Sequence, residues 1–140
     1  MLAGIANILE LLPEDSKFRS FYVQLFTELA SRLRQLQDKE GFWHASLLDP
    51  ASYPSPETSS TALITYGLAY GLNHHLLDES YLPVVRKGWK ALVSTVDKNG
   101  KVGWIQPIGA DPKKVTREMT AVYGVGAFLM AATEIMELIE

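Results

Sequence analysis

Residues 97–106 read DKNGKVGWIQ, and residues 38–46 read DKEGFWHAS. Each stretch begins Asp-Lys-x-Gly where an apolar rhythm of helical period stops, and each reaches a tryptophan soon afterwards. Trp43 and Trp104 stand 61 positions apart. The same offset relates Glu57 to Glu118, Ser59 to Thr120 and Leu68 to Leu129. One unit is therefore written twice: an outer helix, a long loop with a tryptophan, Glu-x-Ser/Thr at a helix start, and an apolar inner helix. Repeats of this length belong to stacked or toroidal architectures, because one unit alone cannot bury its apolar face.

Five helical segments extend outward from this echo. The first covers about 2–12 and ends at Pro13. The second follows Asp15-Ser16, either of which supplies a cap, and runs to Gln37. Its apolar positions, from Phe18, Phe21 and Tyr22 through Phe26 to Leu33 and Leu36, follow the i, i+3, i+4 rhythm, with Arg19, Gln24 and Glu28 on the other side. The third, about 59–76, is apolar or small all round, as a helix buried on every side must be. The fourth, about 80–96, is amphipathic, turning Tyr81, Leu82, Val85, Trp89, Leu92, Val93 and Val96 inward and admitting Pro83 only in its first turn. The fifth, about 120–138, returns to the buried type through Val122, Val125, Gly126, Ala127, Phe128 and Leu129. Short turns alternate with two long loops, 38–58 and 97–119, and the fold class is all-α. A brief strand pairing within FWHASLL (42–48) is the one β element the pattern admits.

Bulk properties narrow the function classes. At 140 residues the chain is one domain, and 47% hydrophobic with 21% charged residues excludes a disordered chain. A net charge of −3 supplies no basic field, so nucleic acid is not an expected partner. Cysteine is absent, which removes disulfides and thiolate metal sites. The longest apolar run, Val122 to Ala132, falls short of the roughly 20 residues that span a bilayer, so no membrane partner is expected. The N-terminus has no basic n-region, carries Glu10 in its apolar stretch and enters directly on helical spacing. It reads as a chain cut rather than begun. No metal-ligand spacing, phosphate-cradling glycine loop or Ser/His/Asp order stands out, and no cofactor or metal is expected.

In a ring of hairpins the long loops share one end, beside the N-termini of the inner helices. Backbone N–H groups and the helix dipole there favour an anionic ligand. Trp43 and Trp104 are candidates to stack on sugar rings, or else to plug their loops onto the helices. Glu57 and Glu118 either accept from hydroxyls of a ligand or serve the first turn of their helices. His44, in the first loop, is a candidate donor to a carboxylate, and Ser59, Gln106 and Tyr123 are further candidate contacts. Lys113, Lys114 and Arg117 read as a solvated basic run, and His74-His75 as partners of last-turn carbonyls. Asp49 and Asp111 are the loop carboxylates in which a catalytic acid is conceivable.

The sequence also resembles a known family. GFWHAS, PETSS, GWIQPIGADP and VYGVGAF, spread over nearly the whole chain, are similar to the C-terminal portion of glycoside hydrolase family 105, the unsaturated rhamnogalacturonyl (glucuronyl) hydrolases. The resemblance implies an (α/α)6 barrel of six hairpins, of which this chain holds about two and a half. It implies an oligosaccharide substrate ending in an unsaturated uronic acid. An aspartate protonates the C4=C5 enol ether, water adds at C5, and the hemiketal opens to release the neighbouring sugar, unlike the usual carboxylate pair. It also implies a bacterial enzyme of cytoplasm or periplasm, with its catalytic aspartates in the N-terminal half, upstream of Met1. Where relatives commonly read Glu-Thr-Ser-Gly and Asp-Ser-Thr, this chain has Glu57-Thr58-Ser59-Ser60 and Glu118-Met119-Thr120. The alternative reading is a non-catalytic α-hairpin interaction module. In either case the open flanks of the first and last helices, with Val125, Phe128 and Leu129, are expected to drive homo-oligomerisation.

Overall fold

Apolar periodicity and short turns make this chain a row of antiparallel helices. The computed structural model describes residues 1–139. Its α-helices are α1 (Leu2–Leu11), α2 (Arg19–Gln35), α3 (Thr58–Asn73), α4 (Leu82–Ser94) and α5 (Val122–Glu137). Short 3-10 turns stand at Pro50–Ser52, Glu79–Tyr81 and Pro112–Lys114. α1, α3 and α5 form an inner row with α3 in the middle, and α2 and α4 lie behind it. This is the expected two and a half hairpins.

α3 is buried over most of its surface, from Thr58, Thr61 and Ala62 to Gly71. α5 is not. Ala127, Ala131 and Ile135 are buried, but Val122 is 88% exposed and Leu129 59%, so the expectation of a helix buried all round fails on one side. The cause is position, because α5 ends the row, with α3 on one side, α4 behind and no inner helix on the other side. α1 is the mirror case, with Leu11 exposed. Of the expected α5 flank, Phe128 is instead half-buried against Trp89, at 5.3 Å between ring centroids.

Local details also depart from the sequence reading. α2 begins at Arg19 without a side-chain cap, and Ser16 accepts from the Phe18 N–H in the preceding turn. Arg19 points back rather than outward, donating to the Leu9 and Leu12 carbonyls at 3.0 Å each. A cation at the end of α1 satisfies carbonyls that the helix itself leaves open. Phe18 and Phe21 at the start of α2 are exposed, and Val93 faces outward on α4. His74 stacks on Tyr70 rather than bonding carbonyls. The brief β pairing lies between Val96 and Val102, not within residues 42–48. No helix among the described residues is long and apolar enough to cross a membrane.

The inner row is stitched by a polar seam at the end away from the long loops. Tyr66 donates to Asn7 Oδ1, Tyr70 to Glu10, and Asn73 Nδ2 to Glu134 Oε2. Burial, then the Glu10 charge, pushes the Tyr70 hydroxyl up to about 12. Burial raises Glu134 as well, and the Glu137 and Glu10 charges add to it against the Asn73 hydrogen bond. A carboxyl raised in the folded state contributes stability below its unfolded pKa and loses it as pH climbs through the folded value. Thermal melts of Glu134→Gln, which keeps an acceptor for Asn73, should therefore retain about 2 °C that the unsubstituted chain loses between pH 4 and 7. Equal pH slopes for the two proteins would refute the strained seam.

Candidate functional site

Both Asp-Lys-x-Gly stretches fold into the same turn. Asp38 N–H donates to the Phe42 carbonyl at 3.0 Å, and Asp97 N–H to Lys101 at 2.9 Å. Each aspartate takes backbone N–H groups in return, Asp38 from Gly41 and Phe42, Asp97 from Asn99 and Lys101. Gly41 and Gly100 hold the positive φ that the turn needs, at +103° and +82°. Burial pushes Asp38 up, but the N–H groups of Phe42 and Gly41 and the His44 ring outweigh it and hold the carboxyl low.

From these turns the two loops run to the N-terminal ends of α3 and α5. Trp43 is fully buried; its indole N–H donates to Leu33 O at 2.8 Å and its backbone N–H to Thr61 Oγ1. No face of this ring is left for a sugar, so within this chain Trp43 is the plug. The second loop lies across the start of α3. Thr58 donates to Gly103 O through its hydroxyl and to Trp104 O through its N–H. Trp104 is half-buried and sits at φ +56°, a left-handed conformation that costs a bulky residue on the order of 1–3 kcal/mol. The Thr58 bond on one side and Ile105 N–H to Met119 O on the other hold it there. Next along, Gln106 accepts through its carbonyl from the Tyr123 hydroxyl at 2.7 Å. Gln106 and Tyr123 thus meet over the first turn of α5, with Trp104 two positions earlier in the same loop at the start of α3.

The remaining candidates serve the loops. His44 bridges Asp38 Oδ2 (2.9 Å) and the Ser55 carbonyl (3.1 Å), so both ring nitrogens face acceptors and it ties the two ends of loop 38–58 together. Glu57 is buried at the N-cap of α3 and accepts from the backbone N–H groups of Ser59 and Ser60 and from the Ser59 hydroxyl. Glu118 repeats it in sequence but not in structure. α5 starts at Val122, with Ala121 as an uncapped N-cap, because pairing of Met119 with Ile105 keeps residues before the helix extended. Glu118 is exposed, and a Thr116 hydrogen bond, its own N–H and the Lys101 and Arg117 charges hold its carboxyl low. Lys113, read as solvated, lies over the Tyr53 ring at 5.2 Å and joins the two loops. Sequence periodicity carried no signal for that contact or for the His44–Asp38 pair. No metal-binding cluster occurs among the described residues.

The family model described as Glycosyl Hydrolase Family 88 matches residues 1–139. The chain belongs to that family. It is 44% identical over 141 residues to an unsaturated 3S-rhamnoglycuronyl hydrolase of Formosa agariphila, covering all of this chain and 37% of the relative. It superposes, with a TM-score of 0.94 and 44% identity, on a solved structure named a polysaccharide lyase, over 99% of this chain and 40% of that one. A possible family 105 member from Salmonella enterica superposes with a TM-score of 0.84 at 26% identity, over 99% of this chain and 38% of that one. The family's (α/α)6 barrels are thus matched over about two fifths of their length, which agrees with the expected partial barrel. One barrel carries two reaction names here, so the reaction has to be argued from the site.

The two glutamates give a direct test of this family member's local geometry. Glu57→Ala should cost about 1 kcal/mol in chemical denaturation, the usual worth of an N-cap. Glu118→Ala should leave the transition where it was. Equal losses would mean that both helices are capped alike.

Proposed function

We propose that this chain supplies one side of the sugar site of an unsaturated glycuronyl hydrolase, which acts on lyase-generated oligosaccharides by enol-ether hydration. The observation that carries the reading is Trp104. A half-exposed indole is held in a strained backbone beside Gln106 and Tyr123, at the end of the inner row where helix N-termini favour a uronate. Strain of this kind persists where the surrounding structure aims a side chain at a task. In this reading Trp104, Gln106 and Tyr123 touch the sugar. Trp43, His44, Glu57 and Ser59 hold the loops that present them.

The proton donor comes from elsewhere in the barrel. Asp49 and Asp111 are exposed turn-formers that accept from the Ser52 and Lys113 N–H groups, and neither has the buried setting of a general acid. Glu57 spends its oxygens on α3, and Glu118 lies in water. Hydration needs a proton delivered to C4 while water adds at C5, and the hemiketal so formed opens to free the next sugar. Positioning without proton transfer leaves binding alone, because the two act as a unit.

The interaction-module reading draws on the same open edges. The exposed flanks of α1 and α5 support self-association of the isolated chain, most simply as a two-fold dimer. One purified sample tests both proposals. It should leave the absorbance of an unsaturated glucuronyl disaccharide unchanged, and it should sediment above monomer mass at micromolar concentration. Turnover abolished by Asp49→Asn or Asp111→Asn would place the acid within this chain, and a clean monomer would remove the self-association.

A further inference from the structure

The two copies of the Asp-Lys-x-Gly turn differ at the third position and in their surroundings. Turn 38–41 carries Glu40, and turn 97–100 carries Asn99. Gly41 is buried against α4, where an added methyl group would collide with the Lys87 carbonyl. Gly100 is exposed, and a methyl group there would meet nothing within 4 Å. The first turn is thus clamped from outside. The second is held by its own hydrogen bonds: Gly100 N–H donates to Asp97 O at 3.0 Å, and the Asn99 and Lys101 N–H groups donate to the Asp97 carboxylate.

Asparagine is chemically labile, most of all before glycine, which has no side chain to shield its own amide nitrogen. The chain has asparagines at 7, 73 and 99. Asn7 lies within α1 before Ile8, and its side-chain oxygen accepts from the Tyr66 hydroxyl. Asn73 ends α3 before His74, and its side-chain nitrogen donates to Glu134. Both are held in a helix ahead of a bulky residue. Asn99 is exposed, precedes Gly100, and joins its turn through the backbone N–H rather than the side chain.

We propose that Asn99 is a site of spontaneous deamidation, through which the second long loop is altered chemically as the protein ages. The Gly100 backbone nitrogen attacks Asn99 Cγ. A new N–C bond closes a cyclic succinimide, and the Gly100 amide proton leaves with the side-chain NH2 as ammonia. Water then opens one of the two ring carbonyls. One opening gives aspartate; the other gives isoaspartate, whose backbone runs through the former side chain and is longer by a methylene. The attack requires the Gly100 N–H to leave Asp97 O, a local opening that moves no packed side chain, and the open space around Gly100 admits the ring. Aspartate would give the second turn the charge that Glu40 gives the first. Isoaspartate would lengthen a turn closed by Asp97 N–H to Lys101 O at 2.9 Å and by Gly103 N–H to Thr95 O at 3.0 Å. Those pairings should loosen, and Trp104 follows them directly.

The test incubates the purified chain at mildly alkaline pH, folded or unfolded in urea. Each asparagine is followed by peptide mass spectrometry and by methyl labelling with an isoaspartate methyltransferase. In the folded chain Asn99 should convert within about tenfold of its rate in urea, because opening an exposed turn costs little. Asn7 and Asn73 should stay amides while the chain is folded, and Asn99→Gln should remove the label from the folded chain. After conversion, hydrogen exchange at the Gly103 amide should quicken, while the Trp43 amide in the first loop keeps its protection. Asn99→Asp, which adds the charge without lengthening the backbone, should leave Gly103 as protected as in the parent. An Asn99 that stays intact in the folded chain while the unfolded chain converts, or label falling equally on Asn7 or Asn73, would overturn the inference. So would isoaspartate at 99 that leaves Gly103 exchange unchanged.

Discussion

A helix that is apolar or small on nearly every face has to be met by other helices over most of its surface, and α3 is such a helix. Its apolar and small residues leave no polar face to turn outward, so α1 and α5 flank it and α2 and α4 back it. Two of the polar side chains it buries, Thr58 and Thr61, stand at its start. Thr58 donates to Gly103 O, and Thr61 accepts from the Trp43 N–H. Buried hydroxyls are costly without partners, so these two threonines draw both tryptophan loops onto one helix end. The position of the candidate site follows from how α3 is buried.

The same constraint separates the two tryptophans. Trp43 follows Gly41 by two positions and drops straight into the space among α2, α3 and α4, with its indole N–H on Leu33. Trp104 follows Gly100 by four, and the extra Val102 and Gly103 carry it across the start of α3 instead of beneath it. Gly103 is held so close to the Arg117 carbonyl that no methyl group would fit between them. One tryptophan is spent on stability. Its counterpart is left half-exposed at the mouth.

The helix row, the all-α class and the repeated turn were legible in the sequence because periodicity and turn chemistry are local. Asp38 and Asp97 form the same turn, as their shared motif implied. What escaped was long-range. Glu57 and Glu118 sit in matching sequence, yet only the first caps a helix, since a loop contact 14 residues away holds Met119 extended. The half-bare face of α5 was hidden as well, because apolar composition records the neighbours a helix is made for rather than those it has. Arg19 reads as a surface charge until α1 is folded back beneath it.

The central claim is that α3 is the best-packed helix, the middle of an inner row whose two edges are only half covered. Native-state hydrogen exchange on the chain under conditions that keep it monomeric tests this most directly. The α3 amides from Ala62 to Gly71 should exchange only by global unfolding. Those of α1 and of the first half of α5 should exchange faster, through partial openings that release the edge helices. Equal protection of all three helices, or slowest exchange in α5, would contradict the account.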